Sequence, residues 1–224
     1  MEADIGVVQS SSGQERLSKY DAQVFLLDDE LAIVTSTAFF LESHGARVCA
    51  FTDAQTFLDE VAGCSGPGCV LLDMTMPGVT GIEVQQELSR VAPQLIVVFL
   101  TGRATYANCA EAMRLGAFDI LQKPLMGAEV IDQIDTYMQE ADRQWLARKE
   151  KIDFLERYDT LTTREREVYS LMLVGNETKR LAFQLDISVS TAEKHVRNVL
   201  RKFRVDSPAK LILASVRNGD LLAD

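Results

Sequence analysis

The sequence predicts an α/β doubly wound domain with a five-stranded parallel sheet, then a long linker helix, then an all-α domain built on a helix-turn-helix. Three observations carry this expectation: five short apolar runs separated by amphipathic stretches, a segment from 128 to 158 without glycine, proline or serine, and a basic amphipathic stretch behind a short helix and a turn. The runs are VFLL (24–27), ARVCAF (46–51), CVLL (69–72), LIVVFL (95–100) and AFDIL (117–121). They lack the alternation of a half-exposed strand, so both faces of each strand should be covered. The stretches between them are long enough for crossover helices.

The 224 residues suffice for two ordinary domains, and 47% apolar and 25% charged residues are close to the average for soluble globular proteins. No stretch approaches the roughly 20 apolar residues of a membrane span, and no basic-then-apolar leader opens the chain, so a cytoplasmic protein without membrane contact is expected. Cys49, Cys64, Cys69 and Cys109 form no CxxC and lie near no histidine pair, which points to buried reduced thiols rather than a zinc site or a disulfide framework. Net charge is −10. It is unevenly spread: from residue 159 onward there are 11 basic and 9 acidic side chains, leaving −12 for the first 158 residues. Such an asymmetry suits two domains with different electrostatic partners.

Four regions follow. Residues 1–19 are polar, with SSSGQ at their centre, and read as a mobile tail. Residues 20–138 hold the five strands. Residues 139–158 read as a linker helix continuing the last helix of that domain, and residues 159–224 as the helical domain.

In doubly wound sheets, functional groups gather beyond the carboxyl ends of the strands. Here the first strand ends at Asp28 and Asp29, the third at Asp73 and the fourth at Thr101, while Lys123 follows the fifth. Carboxylates about 4 Å apart repel by about 4 kcal/mol per pair at an effective dielectric near 20, so three of them call for cations. Lys123 and a hard divalent ion would supply these, and Mg²⁺ suits a site of few carboxylates, a carbonyl oxygen and water. A metal-bound, partly exposed carboxylate facing a lysine can act as a nucleophile towards phosphorus. Taken singly, Asp29 could instead cap the next helix and Thr101 could merely end a strand.

With these residues in view, FLLDDE, VLLDMTMPGVTG, FLTG and GAFDILQKP resemble the receiver domain of two-component response regulators, a flavodoxin-like fold, over about residues 22–138. The resemblance implies that Asp73 is the phospho-acceptor. It implies that Asp28, Asp29, Asp73 and the Thr75 backbone carbonyl hold Mg²⁺, that Thr101 switches toward the phosphoryl group, and that Lys123 pairs with it. One position departs: the family usually has Phe or Tyr three residues before the lysine, where this chain has Ile120, so coupling to Thr101 is weaker or differently read out.

In the C-terminal part a short helix carries Leu181, Ala182 and Leu185, DIS forms a turn, and a basic helix runs from about Val189 to Phe203. Val196, Val199, Leu200 and Phe203 give that helix a core face, leaving Lys194, Arg197, Asn198, Arg201 and Lys202 outside it. A helix-turn-helix places such a helix in the DNA major groove. Residues 159–217 resemble the LuxR-type output domain, which with the receiver defines the NarL/FixJ class. The resemblance sets Glu193, Lys194 and Arg197 against base edges and Lys179, Ser190, Thr191, His195, Asn198 and Arg201 near phosphates. Arg197 could grip guanine and Glu193 could accept from cytosine. Glu193 is unusual there, and Asp186 replaces the family's common turn glycine, a place Asp tolerates better than most residues. His195 and His44 lie in different domains, so no histidine metal site is expected, and His44 reads as a solvent-facing loop residue.

The expected function is a response regulator, not an enzyme. A sensor histidine kinase phosphorylates Asp73, the chain forms a homodimer, and the paired output domains bind promoter DNA, with RNA polymerase a candidate further partner. By resemblance the dimer surface involves the helix from about Tyr106 to Leu115, the strand near Ile120 and the helix from Ala128. The alternatives are a phosphorylation-independent DNA-binding regulator with a vestigial receiver, or a phosphatase-like hydrolase. Such hydrolases carry a general-acid aspartate two residues after the nucleophile, where this chain has Thr75. The segment 128–158 should be a single helix about 45 Å long at 1.5 Å per residue. Its apolar residues keep a seven-residue repeat through Ile131, Met138, Trp145 and Ile152 at one position and Ile134, Ala141 and Leu155 at the other, broken by Arg148. Either this stripe zips into a dimer on phosphorylation, or its first half packs on the sheet and its second half is a solvated spacer.

Overall fold

A computed structural model describes residues 16–102 and 106–219, and the chain divides into two compact units between Leu146 and Ala147. In the first unit strands and helices alternate: β1 (Gln23–Leu27), α1 (Leu31–Glu42), β2 (Val48–Phe51), α2 (Ala54–Ala62), β3 (Gly68–Asp73), α3 (Gly81–Val91), β4 (Leu95–Thr101), α4 (Tyr106–Arg114), β5 (Asp119–Gln122) and α5 (Ala128–Asp159). The strands form one parallel sheet in the order β2-β1-β3-β4-β5. Each apolar run of the sequence is a strand. The three inner strands are buried on both faces and the edges β2 and β5 less so, which is why the inner runs show no polar alternation.

Side chains still alternate in direction along each strand. Val24, Leu26, Leu71, Val98 and Leu100 join Val34 and Leu41 of α1 and Ile131, Ile134, Met138 and Ala141 of α5 in one half of the core. Phe25, Leu27, Val70, Leu72, Val97 and Phe99 meet Phe57 and Val61 of α2 and Val84 and Leu88 of α3 in the other. Crossovers leave the β1–β3 pair in opposite directions, so a crevice opens where β1 and β3 end.

Two expectations are revised here. Of the supposed tail, residues 1–15 lie outside the described residues, but 16–19 form a turn with Leu17 wholly buried in the first half-core. The Leu17 N–H donates to the His44 carbonyl at 2.9 Å, and Arg16, Lys19 and the Tyr20 hydroxyl bind Asp135 of α5. One apolar residue in a polar segment was enough to dock it. His44 is half-buried, its ring packed against Phe40. Of the cysteines, Cys69 is buried, which pushes its thiol pKa up, and Cys49, Cys64 and Cys109 are half-buried, all unbridged.

In the second unit the end of α5 is followed by α6 (Thr163–Leu173), α7 (Thr178–Gln184), α8 (Val189–Phe203) and α9 (Pro208–Arg217). Local chemistry sets these boundaries. Thr162 and Glu165 form a reciprocal capping box on α6, Ser188 caps α8, and Ser207 with Pro208 starts α9. Asp186 takes the left-handed conformation at φ 51° in the turn between α7 and α8, the geometry its replacement of glycine required. The core gathers Phe154, Leu161, Val168, Tyr169, Met172, Leu181, Val199, Phe203 and Leu211. Phe203 stacks on Tyr169 at 5.2 Å and tilts against Phe154 at 5.0 Å.

Candidate functional site

The crevice beyond β1 and β3 collects the side chains singled out from the strand ends. Asp28 is fully buried and Asp73 is 5% exposed, whereas Asp29 is exposed. Carboxylate oxygens of all three lie within 4.8 Å of one another. The Lys123 ammonium bridges two of them, 2.5 Å from Asp28 Oδ2 and 2.6 Å from Asp73 Oδ1. Backbone donors complete the set: Glu30 N–H binds Asp28 Oδ1 at 3.0 Å and Thr75 N–H binds Asp73 Oδ2 at 3.2 Å. Glu30 stands at the N-cap position of α1 without a side-chain capping bond, so Asp29 is not the cap residue of that helix.

Burial raises the Asp73 pKa first, and the neighbouring Asp28 charge adds to this; Lys123 and the Thr75 N–H offset only part. Burial would lower the Lys123 pKa, but its two carboxylate partners outweigh this and raise it. Three carboxylates against one ammonium leave the crevice short of positive charge. A hard divalent ion held by oxygen ligands corrects that deficit, so the donor set fits Mg²⁺.

The turn after Asp73 is held from two sides. Met74 N–H donates to the Leu100 carbonyl at 3.0 Å, and Gly81 N–H donates to the Met74 carbonyl at 3.2 Å. A Cβ on Gly81 would stand 2.2 Å from the Asp73 carbonyl oxygen and 2.9 Å from Phe99 Cε1, so glycine is required there. Reading the sequence alone did not single out Gly81, although its place eight residues after the acceptor, at the first turn of α3, was a usable signal. Thr101 ends β4, its carbonyl accepting from Lys123 N–H at 2.8 Å, which ties the two strand ends together. Ile120 is half-buried and packs on the α2–α3 side of the core.

In the second unit, α7, the turn and α8 form the helix-turn-helix. Ala192, Val199 and Phe203 face inward, with Val196 and Leu200 partly buried beside them. Lys179, Ser190, Glu193, Lys194, Arg197 and Arg201 are exposed; Thr191, His195 and Asn198 are half-buried. Thr191 is engaged with Ser188 at the α8 N-terminus, and Asn198 accepts from Arg201 at 3.4 Å. Lys202 departs from expectation. It points back to Glu165 Oε2 and the Thr160 carbonyl, each at 2.6 Å, and pins α8 to the start of α6.

Known proteins resemble the chain in both parts. Residues 24–135 match the family described as response regulator receiver domain, and residues 159–215 match the bacterial regulatory proteins of the luxR family. The transcriptional regulatory protein FixJ of Bradyrhizobium diazoefficiens is 33% identical over 88% of this chain and 96% of its own length. The response regulator TodT of Pseudomonas putida is 30% identical over 97% and 95%. Among solved structures, the response regulator StyR aligns with a TM-score of 0.76 at 30% identity, over 88% of this chain and 98% of that one. Fold and site thus define a receiver domain joined in one chain to a LuxR-type DNA-binding domain. The chain belongs to the response regulator family, the transcriptional regulators of two-component systems.

Proposed function

We propose that a sensor histidine kinase is the phosphoryl donor and Asp73 the acceptor, and that the phosphorylated chain dimerises on promoter DNA. The observation that carries this reading is the meeting of Asp28, Asp29, Asp73 and Lys123 in one crevice. A carboxylate oxygen of Asp73 attacks phosphorus as the donor's P–N bond breaks. Lys123 neutralises charge on the incoming phosphoryl oxygens, and the Thr101 hydroxyl, at the neighbouring strand end, donates a hydrogen bond to one of them. Asp28, Asp29, Asp73 and the Thr75 backbone carbonyl would hold Mg²⁺. When bound, the ion supplies charge neutralisation at the phosphoryl oxygens.

The chain acts as a regulator without turnover, since Thr75 stands where a hydrolase of this type keeps its general acid. It works in the cytoplasm; no helix among the described residues is long and apolar enough to cross a membrane. Arg197, Lys194 and Glu193 read base edges. Lys179, Ser190, Thr191, His195, Asn198 and Arg201 contact the backbone, and RNA polymerase is a further partner at the promoter. Dimerisation uses α4, the β5 region and the start of α5. One observation favours a second reading: with Ile120 there is no ring to rotate behind Thr101, which suits a receiver whose phosphorylation no longer controls the output.

Acetyl phosphate with Mg²⁺ should add one phosphoryl group to the wild type and none to Asp73→Asn, as read by intact mass. Equal gains in both proteins would remove Asp73 from the role. A modified wild type that binds DNA no better than Asp73→Asn would favour the second reading.

A further inference from the structure

The seven-residue repeat of α5 is used in two ways. Ile131, Ile134, Met138 and Ala141 are spent in the core of the first unit. Beyond them the stripe is largely uncovered: Trp145 is half-buried, Ile152 and Leu155 are 46% and 48% exposed, and Arg148 is exposed between them. At 100° per residue, Trp145, Arg148, Ile152 and Leu155 fall within about 80° of arc. The face that packs on the helical core lies elsewhere. Phe154 is buried there, Tyr158 is half-buried beside it, and Arg157 donates to the Phe203 carbonyl at 3.3 Å; this face is centred about 130° round the helix from the stripe.

The flanking charges say what covers the stripe. With Trp145 and Ile152 at position a and Arg148 and Leu155 at position d, Lys151 falls at g and Glu156 at the following e. Those positions meet across a parallel two-stranded coiled coil. Two copies of this helix, in parallel and in register, therefore set Lys151 of each against Glu156 of the other. The antiparallel register that stacks Trp145 on Leu155 opposes Lys149 to Lys149 and Lys151 to Lys151. The occupant selected by charge is a second copy of this chain in parallel.

Arg148 then becomes informative. In the parallel pair its two copies face each other at a core layer, and the neighbouring e and g positions are Lys149 and Lys151, with no carboxylate to relieve them. One short apolar stretch with a cationic layer cannot hold two chains together unaided. Tethering by another contact raises the effective concentration enough to close it.

We propose that residues 145–155 of α5 form a conditional parallel zipper between two copies of this chain, held open by Arg148 until another dimer contact brings the helices together. This rests on the reading above that phosphorylation pairs the chains.

Sedimentation equilibrium of the full chain tests it. Without phosphodonor, Arg148→Leu should dimerise at least about tenfold more tightly than wild type, since each copy gains a buried leucine and loses a facing charge. Adding Ile152→Gln and Leu155→Gln, both at exposed sites, should abolish that gain. Lys151→Glu should weaken the Arg148→Leu dimer, and Lys151→Glu with Glu156→Lys should restore it. An Arg148→Leu chain that sediments like wild type, or whose gain survives the double glutamine change, overturns the zipper. The underlying reading fails differently: wild type stays monomeric with acetyl phosphate and Mg²⁺. A phosphorylated wild-type dimer that Ile152→Gln with Leu155→Gln leaves equally tight sinks the zipper alone.

Discussion

Gly81 acts through what it lacks. Its missing side chain lets α3 start against the backbone carbonyl of Asp73, while its N–H binds the Met74 carbonyl in the turn that follows the acceptor. Gly81→Ala should cost about 2 to 3 kcal/mol by overpacking and slow modification by acetyl phosphate. Gly66→Ala meets nothing within 4 Å and should change stability by less than about 0.5 kcal/mol. Denaturant midpoints of the two variants, with phosphorylation rates, check this. Arg197 on α8 and Lys179 on α7 are both exposed but differ in what each is placed to touch. Arg197→Ala should cost about 1 to 3 kcal/mol on the cognate site and relax preference at one base pair. Lys179→Ala should weaken all sequences alike and lower the salt slope by about one. Titrations of cognate and random DNA at several salt concentrations separate the two; equal losses on both DNAs for Arg197→Ala would leave Arg197 on the backbone. Arg197 was legible from the apolar spacing of α8, which sets its outward face, whereas Lys179 was marked only by the resemblance to the LuxR-type output domain. Gly81 was not legible, because its constraint comes from a strand end that the sequence does not place beside it.

At the scale of elements, α8 is fastened by Lys202, which spacing had put on the outer face. A lysine stem is long enough to reach back across a helix edge when a buried carboxylate waits there. Glu165 is that carboxylate: burial would raise its pKa, but Lys202 and the Thr162 donors outweigh this and hold it below the usual range. The contribution to stability of a depressed carboxylate is present above its unfolded pKa and lost as pH falls through its folded value. Lys202→Met should therefore cost about 2 kcal/mol at neutral pH, where it leaves a buried carboxylate short of its cation. The gap from wild type should narrow as pH falls through the usual carboxylate range and close only below it, where Glu165 takes up a proton in wild type as well. Urea melts of both proteins at pH 7 and at acid pH measure it; a gap that persists at low pH would assign the loss to packing of the lysine stem. In α5 the same division recurs: the heptad spacing was visible in the sequence, but which turns the sheet would cover was not.

For the whole molecule, two separate cores imply two cooperative units. Calorimetry should show two transitions. Phe203→Ala, which removes the ring between Tyr169 and Phe154, should cost about 3 to 5 kcal/mol and move only one of them. A single transition shifted as a whole would mean that the units unfold together. The sequence by itself determined the five strands, the helix-turn-helix and the candidate acidic residues, since unbroken apolar runs, capping residues and helical spacing are local or periodic signals. Only the tertiary structure decided that Leu17 belongs to the core, that Lys202 turns inward, that Gly81 bounds the acceptor, and that Lys123 bridges Asp28 and Asp73. Each of these depends on which distant segments become neighbours, and that is set by how apolar faces close on one another rather than by any stretch of residues taken alone.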